Sequence, residues 1–455
     1  MAAVVDHGAT PRHARQEGRT TQMPADMFHL GWFYSKGFGP KAWKHRWAGS
    51  SVDRFTKPDM AVHLAQAMER SGFDYIMLED SSNVPYTYQG SHDAYLRHSV
   101  DTPKLDPTVL APFLTAATDN LGVVVTCSTT EYHPFMLARK FNTLDHVSDG
   151  RIGWNVVTGS NDGGAQNYGR DRQYPHDERY DMADEFMDVC HGLWNGWDDD
   201  ALVLDLEGGV FADGSKVHPI EHVGKYYRVR GPLSSPPSPQ RSPVICQAGG
   251  SERGRRFAGQ WAETIICAAR GVEAMKSYRS DVRAEAVAAG RDPDSIKVLF
   301  LISPIIDESF ETAEARRRHR WDTAEHEVDF GLAALSRSTG IDFSKFDLDE
   351  PIPPLETNGH QSSARQMEGK ILRDVLRYNR TLETVPLTGT AQSVAGDMDE
   401  LMQEVGGDGF LLVESYHSRR YIAEICDGLV PELQKRGLTR KSYEFNSFRE
   451  NLLSF

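Results

Sequence analysis

The sequence predicts a (β/α)8 barrel of the TIM type, and three observations predict it. From Met27 onward, short β-branched or apolar runs alternate with helical patterns. Eight such runs can be placed as strands, and glycine, serine and proline signals separate them from the helices that follow. At 455 residues, the chain is also long enough for one large barrel with insertions.

Phe28–Tyr34 reads as the first strand. Over Pro58–Ser71, Ala61, Leu64, Ala65 and Met68 recur at helical spacing, and Gly72 stops the run before a strand over Asp74–Glu79. Further strands are expected at Gly122–Cys127, Ile152–Val157, Pro243–Gln247, Thr264–Cys267, Val298–Ile302 and Phe410–Val413. Val394, Met398, Leu401 and Val405 form one stripe of a helix over Ala391–Val405, which Gly406 ends. Two stretches break the alternation, about 194–242 and 316–386, and read as insertions with elements of their own that cover the barrel mouth. The expected organisation is a mobile tail over 1–26, one barrel domain over 27–440 and an extension over 441–455.

Composition narrows the function. Sixty-five acidic against fifty basic residues give a net charge of −15, which argues against a nucleic-acid partner. Five scattered cysteines form no C-x-x-C pair, so neither a zinc ribbon nor a disulfide framework is signalled, and a reducing cytoplasm is expected. No apolar run approaches a membrane span, and no histidine spacing marks a metal site.

A barrel gathers its chemistry at the C-terminal strand ends. Gln247-Ala248-Gly249-Gly250-Ser251 leads from a strand into a helix and reads either as an ordinary capped turn or as a phosphate cradle. It is neither G-x-G-x-x-G nor a P-loop. Val125-Thr126-Cys127-Ser128-Thr129-Thr130 gathers hydroxyls at a strand end, and Asn155 puts a neutral amide in the next strand, for structure or for a reacting centre. His176 and Tyr180 share a helix face at i and i+4. Asp80 closes the second strand. Trp32, Phe33, Trp43, Trp47 and His133 are candidates to wall a pocket.

These segments resemble the bacterial-luciferase-like flavin monooxygenases, in the group of the nitrilotriacetate, EDTA and dibenzothiophene-sulfone monooxygenases. The resemblance rests on HLGWFY, GFDYIMLED, VTCSTTEYHPFMLARKFNTLDHVSDGRIGWNVVTGSND, HDERYDMADEF and QAGGSERGRRFA, and spans residues 28 to about 440. It implies reduced FMN delivered by a separate NAD(P)H:flavin reductase, dioxygen as cosubstrate, and a homodimer or homotetramer. Carried over by motif, flavin contacts fall to Asp80, Thr126 or Ser128, Asn155, His176, Tyr180, Gly249, Gly250 and Ser251, with Thr126, Asn155 and His176 in catalytic roles. Thr126 and Asn155 match positions that hold dioxygen beside the reactive flavin nitrogen. Gly159 stands where the family has Ser or a bulkier residue, and the segment 82–107 is long, so the departures lie at the mouth.

The implied substrate is a small organic molecule, an aromatic sulfone, chloroaromatic or aminopolycarboxylate, broken at a C–S, C–halogen or C–N bond. Rival readings are a deazaflavin-dependent hydride transfer on the same fold, a barrel hydrolase using paired carboxylates such as Asp80 and Asp162, and a flavin-storage protein.

Overall fold

The computed structural model describes residues 27–34, 54–322, 328–378, 383–413 and 418–455. The expected tail over 1–26, and the expected pocket residues Trp43 and Trp47, lie outside the described residues.

Eight parallel strands close into one barrel in sequence order. They are β1 (His29–Tyr34), β2 (Tyr75–Leu78), β3 (Gly122–Ser128), β4 (Ile152–Val157), β5 (Val244–Gln247), β6 (Thr264–Cys267), β7 (Lys297–Ile302) and β8 (Gly409–Val413). Strand ends move by a residue or two from expectation for local reasons. Asp74 lies just before β2, where its N–H donates to the Leu30 carbonyl at 2.7 Å and its carboxylate accepts from the Leu30 N–H at 2.9 Å. Ser128 joins β3 because it pairs with Val157.

Alternation along each strand sorts side chains into two layers. Leu30, Trp32 and Tyr34, Ile76 and Leu78, and Ile152, Trp154 and Val156 pack outward in one core with the surrounding helices. Tyr75, Met77, Val124, Val244, Cys246, Ile266, Leu299, Leu301, Leu411 and Val413 fill the lumen, with Phe33 against them.

The C-terminal stretch 441–455 is more than an extension. Phe448 and Leu452, on the short helix Phe448–Leu452, belong to the lumen cluster and plug the end from which the strands start. A Cβ on Gly122 would lie 2.6 Å from the Phe448 ring, so glycine opens β3 to admit the plug. Phe448→Ala is expected to cost about 3 kcal/mol, since the ring leaves a cavity that neighbouring strands cannot collapse into. Urea denaturation followed by far-UV circular dichroism measures this.

Both insertions carry structure. Residues 194–242 hold two antiparallel hairpins, Leu202–Asp205 with Val210–Ala212 and His222–Val223 with Arg228–Val229. The second contains helices Val328–Thr339, Gln361–Met367 and Leu372–Tyr378. Leu332, Phe343, Ile352 and Leu372 share a small separate core with Tyr88 and Tyr95, so the long 82–107 segment and this insertion form one body beside the barrel. Tyr88 Oη donates to Asp329 at 2.8 Å across their seam. Among the described residues, no helix is long and apolar enough to cross a membrane.

Candidate active site

Inward alternation along β3 and β4 brings Thr126 and Asn155 side by side in register. Both are buried, at 3% and 4% exposure. Asn155 Nδ2 donates to Thr126 Oγ1 at 3.0 Å, and the buried Asn155 Oδ1 accepts from nothing among the described residues. An amide oxygen left in this way is costly unless a ligand supplies a donor.

Ser128, two residues on, is engaged in the turn: its Oγ lies 2.9 Å from Thr130 Oγ1, which lies 3.3 Å from the Thr158 carbonyl. Gly159 follows with φ of +70°, and a Cβ there would lie 2.5 Å from Gln173 Nε2. Glycine at that place meets a backbone requirement and a close approach together.

β5 is hydrogen-bonded to β4, with Asn155 opposite Cys246 and Val156 opposite Gln247, so the Gln247–Ser251 turn stands on the same rim as Asn155. Ser251 caps the helix Glu252–Trp261, accepting from the Gly254 N–H at 3.0 Å. The first-turn N–H groups of that helix present partial positive charge. Gly249 is pinned from both sides: its N–H donates to Gln247 Oε1 at 2.6 Å, and its carbonyl accepts from Tyr278 Oη at 2.7 Å. Arg255 Nη1 donates to the Gly250 carbonyl at 3.0 Å.

The helix His176–Trp194 delivers its first turn to this place. Tyr180 Oη accepts from Gln247 Nε2 at 3.4 Å and stands near enough to Ser251 for the hydroxyl to act on it. Burial pushes the Tyr180 phenol up, so it remains a neutral hydrogen-bonding group. The His176 ring stands 5.2 Å from that of Tyr180, and its Nδ1 lies 2.7 Å from Asp177 Oδ1, which leaves Nε2 for a ligand. A cleft of about 570 Å³ opens here, lined by Pro175, His176, Asp177, Glu356, Thr357, Asn358 and Gln361, where the second insertion meets the helix.

Asp80 lies half-buried beyond β2, accepting from the Ser81 N–H at 2.8 Å. Desolvation raises its pKa to about 7, with Asp106 and Glu131 adding to the shift and Lys104 opposing it. The folded protein therefore holds a proton there that the unfolded chain gives up near 4. This contribution to stability is full below pH 4 and is lost as pH rises through 7. Asp80→Asn is expected to leave stability unchanged at pH 4 and to raise it by about 2 kcal/mol at pH 8, as paired denaturant titrations would show.

Two expected pocket residues are placed elsewhere. Trp32 is fully buried on the outward face of β1, 6.1 Å from the Phe73 ring and 5.7 Å from that of Tyr421. It packs the helix layer; its neighbour Phe33 faces the lumen. His133 caps the helix Pro134–Val147, with Nδ1 accepting from the Phe135 N–H at 3.3 Å, and its ring meets Tyr227 of the His222–Val229 hairpin. Asp162 accepts from the Gln173 N–H at 2.9 Å, inside its own loop.

Other residues went unread in the sequence. Glu131 accepts from Ser82 Oγ at 2.9 Å, and burial pushes its carboxyl up. Glu79 continues the inward alternation of Tyr75 and Met77, and its carboxylate lies 3.1 Å from Lys104 Nζ and 3.7 Å from Arg337 Nη2. That alternation was the available signal for Glu79. For Glu131 no pattern in the sequence pointed to the partner at Ser82.

The profile of a family described as luciferase-like monooxygenase matches residues 38–409. A dibenzothiophene-sulfone monooxygenase of Rhodococcus erythropolis (strain XP) is 37% identical over 442 residues, covering 94% of this chain and 96% of that protein. A dimethyl-sulfide monooxygenase of Hyphomicrobium sulfonivorans is 39% identical over 420 residues, covering 90% and 86%. Among solved structures, a riboflavin lyase with modified FMN and riboflavin superposes with a TM-score of 0.87 at 34% identity, covering 94% of this chain and 96% of that one.

Proposed function

We propose that this chain, an enzyme that belongs to the luciferase-like monooxygenase family, is the oxygenase of a two-component system that uses reduced FMN and dioxygen to oxygenate a small organic substrate. One observation supports this most: the orphaned Asn155 Oδ1 and the Gly249–Ser251 turn converge from neighbouring strand ends onto one rim. A planar ring that carries hydrogen-bond donors and trails an anionic tail matches that pairing.

The residues fit such a nucleotide. Gly249 keeps the turn free of a Cβ that would lie 2.9 Å from the Gly254 Cα, so backbone can approach an anion closely. Ser251, Tyr180 and the helix N-terminus would hold the phosphate, with His176 Nε2 toward the same ligand. Thr126 and Asn155 would orient the ring edge and dioxygen, and Asp80 would hold a proton near neutral pH. When bound, reduced FMN supplies two electrons, so that one oxygen atom of dioxygen enters the substrate and the other leaves as water.

Phe33 and Val413 at the lumen would exclude the water that otherwise discharges such chemistry as hydrogen peroxide. Delivery by a separate NAD(P)H:flavin reductase accords with a sequence that has no dinucleotide fingerprint. Sulfones, aminopolycarboxylates and halogenated aromatics are the substrate classes proposed.

Anaerobic titration with photoreduced FMN is expected to saturate at one flavin per chain, and Ser251→Ala to weaken it about tenfold through loss of one hydroxyl donor to an anion. Oxygen uptake against a panel of those substrates, with a generic flavin reductase present, then reads the reaction. Uptake that yields hydrogen peroxide alone with every compound would speak against oxygenation of these classes.

A further inference from the structure

Arg170 carries a charge that its surroundings leave half bonded. It lies between the helices Asp162–Asn167 and His176–Trp194, in a loop that reaches back to the strand end of β3. Its Nη1 donates to the carbonyl of Thr130, two residues beyond the end of β3, at 2.7 Å, and the guanidinium carbon stands 5.4 Å from the centre of the Tyr174 ring. Nε and Nη2 are both shielded from water and have no acceptor among the described residues.

Those two bare donors belong together. Nε–H and the neighbouring Nη2–H point the same way along one edge of the planar fork, which is the geometry that takes both oxygens of a carboxylate. Leaving them dry and unmet costs more than a neutral orphan would, because the group is charged. Glu131 does not close the fork: it accepts from Ser82 Oγ at 2.9 Å, and burial pushes its carboxyl up toward the neutral form. Tyr227, from the His222–Val229 hairpin, lies within electrostatic reach of both Arg170 and Tyr174, and burial pushes its phenol up, so it stays neutral. Flat aromatic area thus flanks one unspent cation.

We propose that Arg170 is a specificity-determining residue whose Nε–Nη2 edge takes a carboxylate borne by a small aromatic substrate. This rests on the oxygenase reading above and narrows its substrate to molecules that join a ring to an acid group. Thr130 follows Thr126 and Ser128 along one strand end, so the acid is gripped on the rim that carries the candidate site. Entry requires the side chains over the fork to part. The neighbouring Gly169, with φ of +78° and no atom within 4 Å of where a Cβ would lie, lets the loop turn without a clash.

The test is isothermal titration of the full chain with benzoate and with benzamide, its neutral counterpart. Wild type is expected to bind benzoate about tenfold more tightly or better, through one bidentate charge-assisted pair. Arg170→Met, which removes the charge, is expected to bring that ratio to within about twofold of unity, and Arg170→Lys, which keeps the charge and loses the fork, to fall between. An arginine with a structural role alone would weaken both ligands alike and leave the ratio unchanged. Anaerobic titration with reduced FMN runs alongside, and each variant is expected to keep the wild-type affinity for it.

Equal affinity for benzoate and benzamide in wild type would overturn the inference, as would no binding of either by protein that binds reduced FMN; both leave the flavin reading standing. So would an Arg170→Met variant, folded by circular dichroism, that keeps the wild-type ratio or loses FMN as much as benzoate. Failure of wild type to bind reduced FMN would overturn the oxygenase reading and this inference with it.

Discussion

Gly249→Ala is expected to weaken binding of reduced FMN about 100-fold, roughly 2.7 kcal/mol, while leaving the fold in place. A Cβ at this position meets the Gln247 side-chain amide and lies 2.9 Å from the Gly254 Cα. Gln247 is not at liberty to move, since its Oε1 accepts from the Gly249 N–H at 2.6 Å and its Nε2 lies 3.4 Å from Tyr180 Oη. Gly254 lies in the first turn of the capped helix, so the turn itself must shift. The shift separates Ser251 from Tyr180 and turns the helix N–H groups away from the anion they would hold. Anaerobic fluorescence titration measures the affinity, and thermal unfolding within about 3 °C of wild type would confirm a local effect.

Arg440→Met is expected to destabilise the protein by about 3 to 5 kcal/mol and to make what stability remains less sensitive to acid. Arg440, Asp74 and His29 form a buried cluster at the end of the barrel opposite the candidate site. Arg440 Nη2 donates to Asp74 Oδ1 at 2.6 Å, and His29 Nδ1 lies 2.9 Å from the same oxygen. Desolvation works to raise the Asp74 pKa, but His29, Arg440 and the Leu30 N–H together outweigh it and hold the carboxyl below its ordinary value. The sign follows: the carboxylate stabilises the fold above pH 4, and that contribution is lost as pH falls through the depressed folded value. Removing the guanidinium leaves a buried carboxylate short of countercharge, so the loss is larger at neutral pH than in acid, where the carboxylate takes up a proton. Urea midpoints at pH 7 and pH 3.5 for both proteins measure the difference.

The barrel was legible because each strand is short, apolar and bounded by punctuating residues. Ile152–Val157 and Thr264–Cys267 fall where the runs end, and the helix over Ala391–Val405 stops at Gly406, whose φ of +67° needs glycine. The Thr126–Asn155 and Gly249–Ser251 elements were legible for a related reason, since polar groups at strand ends break an apolar pattern.

What escaped depends on contacts distant in sequence or on the sense of a strand. The helix Phe448–Leu452 has five residues, too few for a period, and its place follows from Gly122 and Tyr75 more than 300 positions earlier. Trp32 was read as a pocket wall because aromatics cluster around it, yet its place beside Phe33 means that only one of the two can face the lumen. Tyr88 and Tyr95 joined Leu332 and Phe343 in a second core through packing that composition does not encode.

The most direct measurement is the structure of the protein crystallised anaerobically with reduced FMN. Density for the phosphate within hydrogen-bonding distance of Ser251 Oγ, with the ring edge against Asn155 Oδ1, is the expected result. A phosphate bound away from the Gly249–Ser251 turn, or a barrel mouth without flavin at saturating concentration, would contradict it.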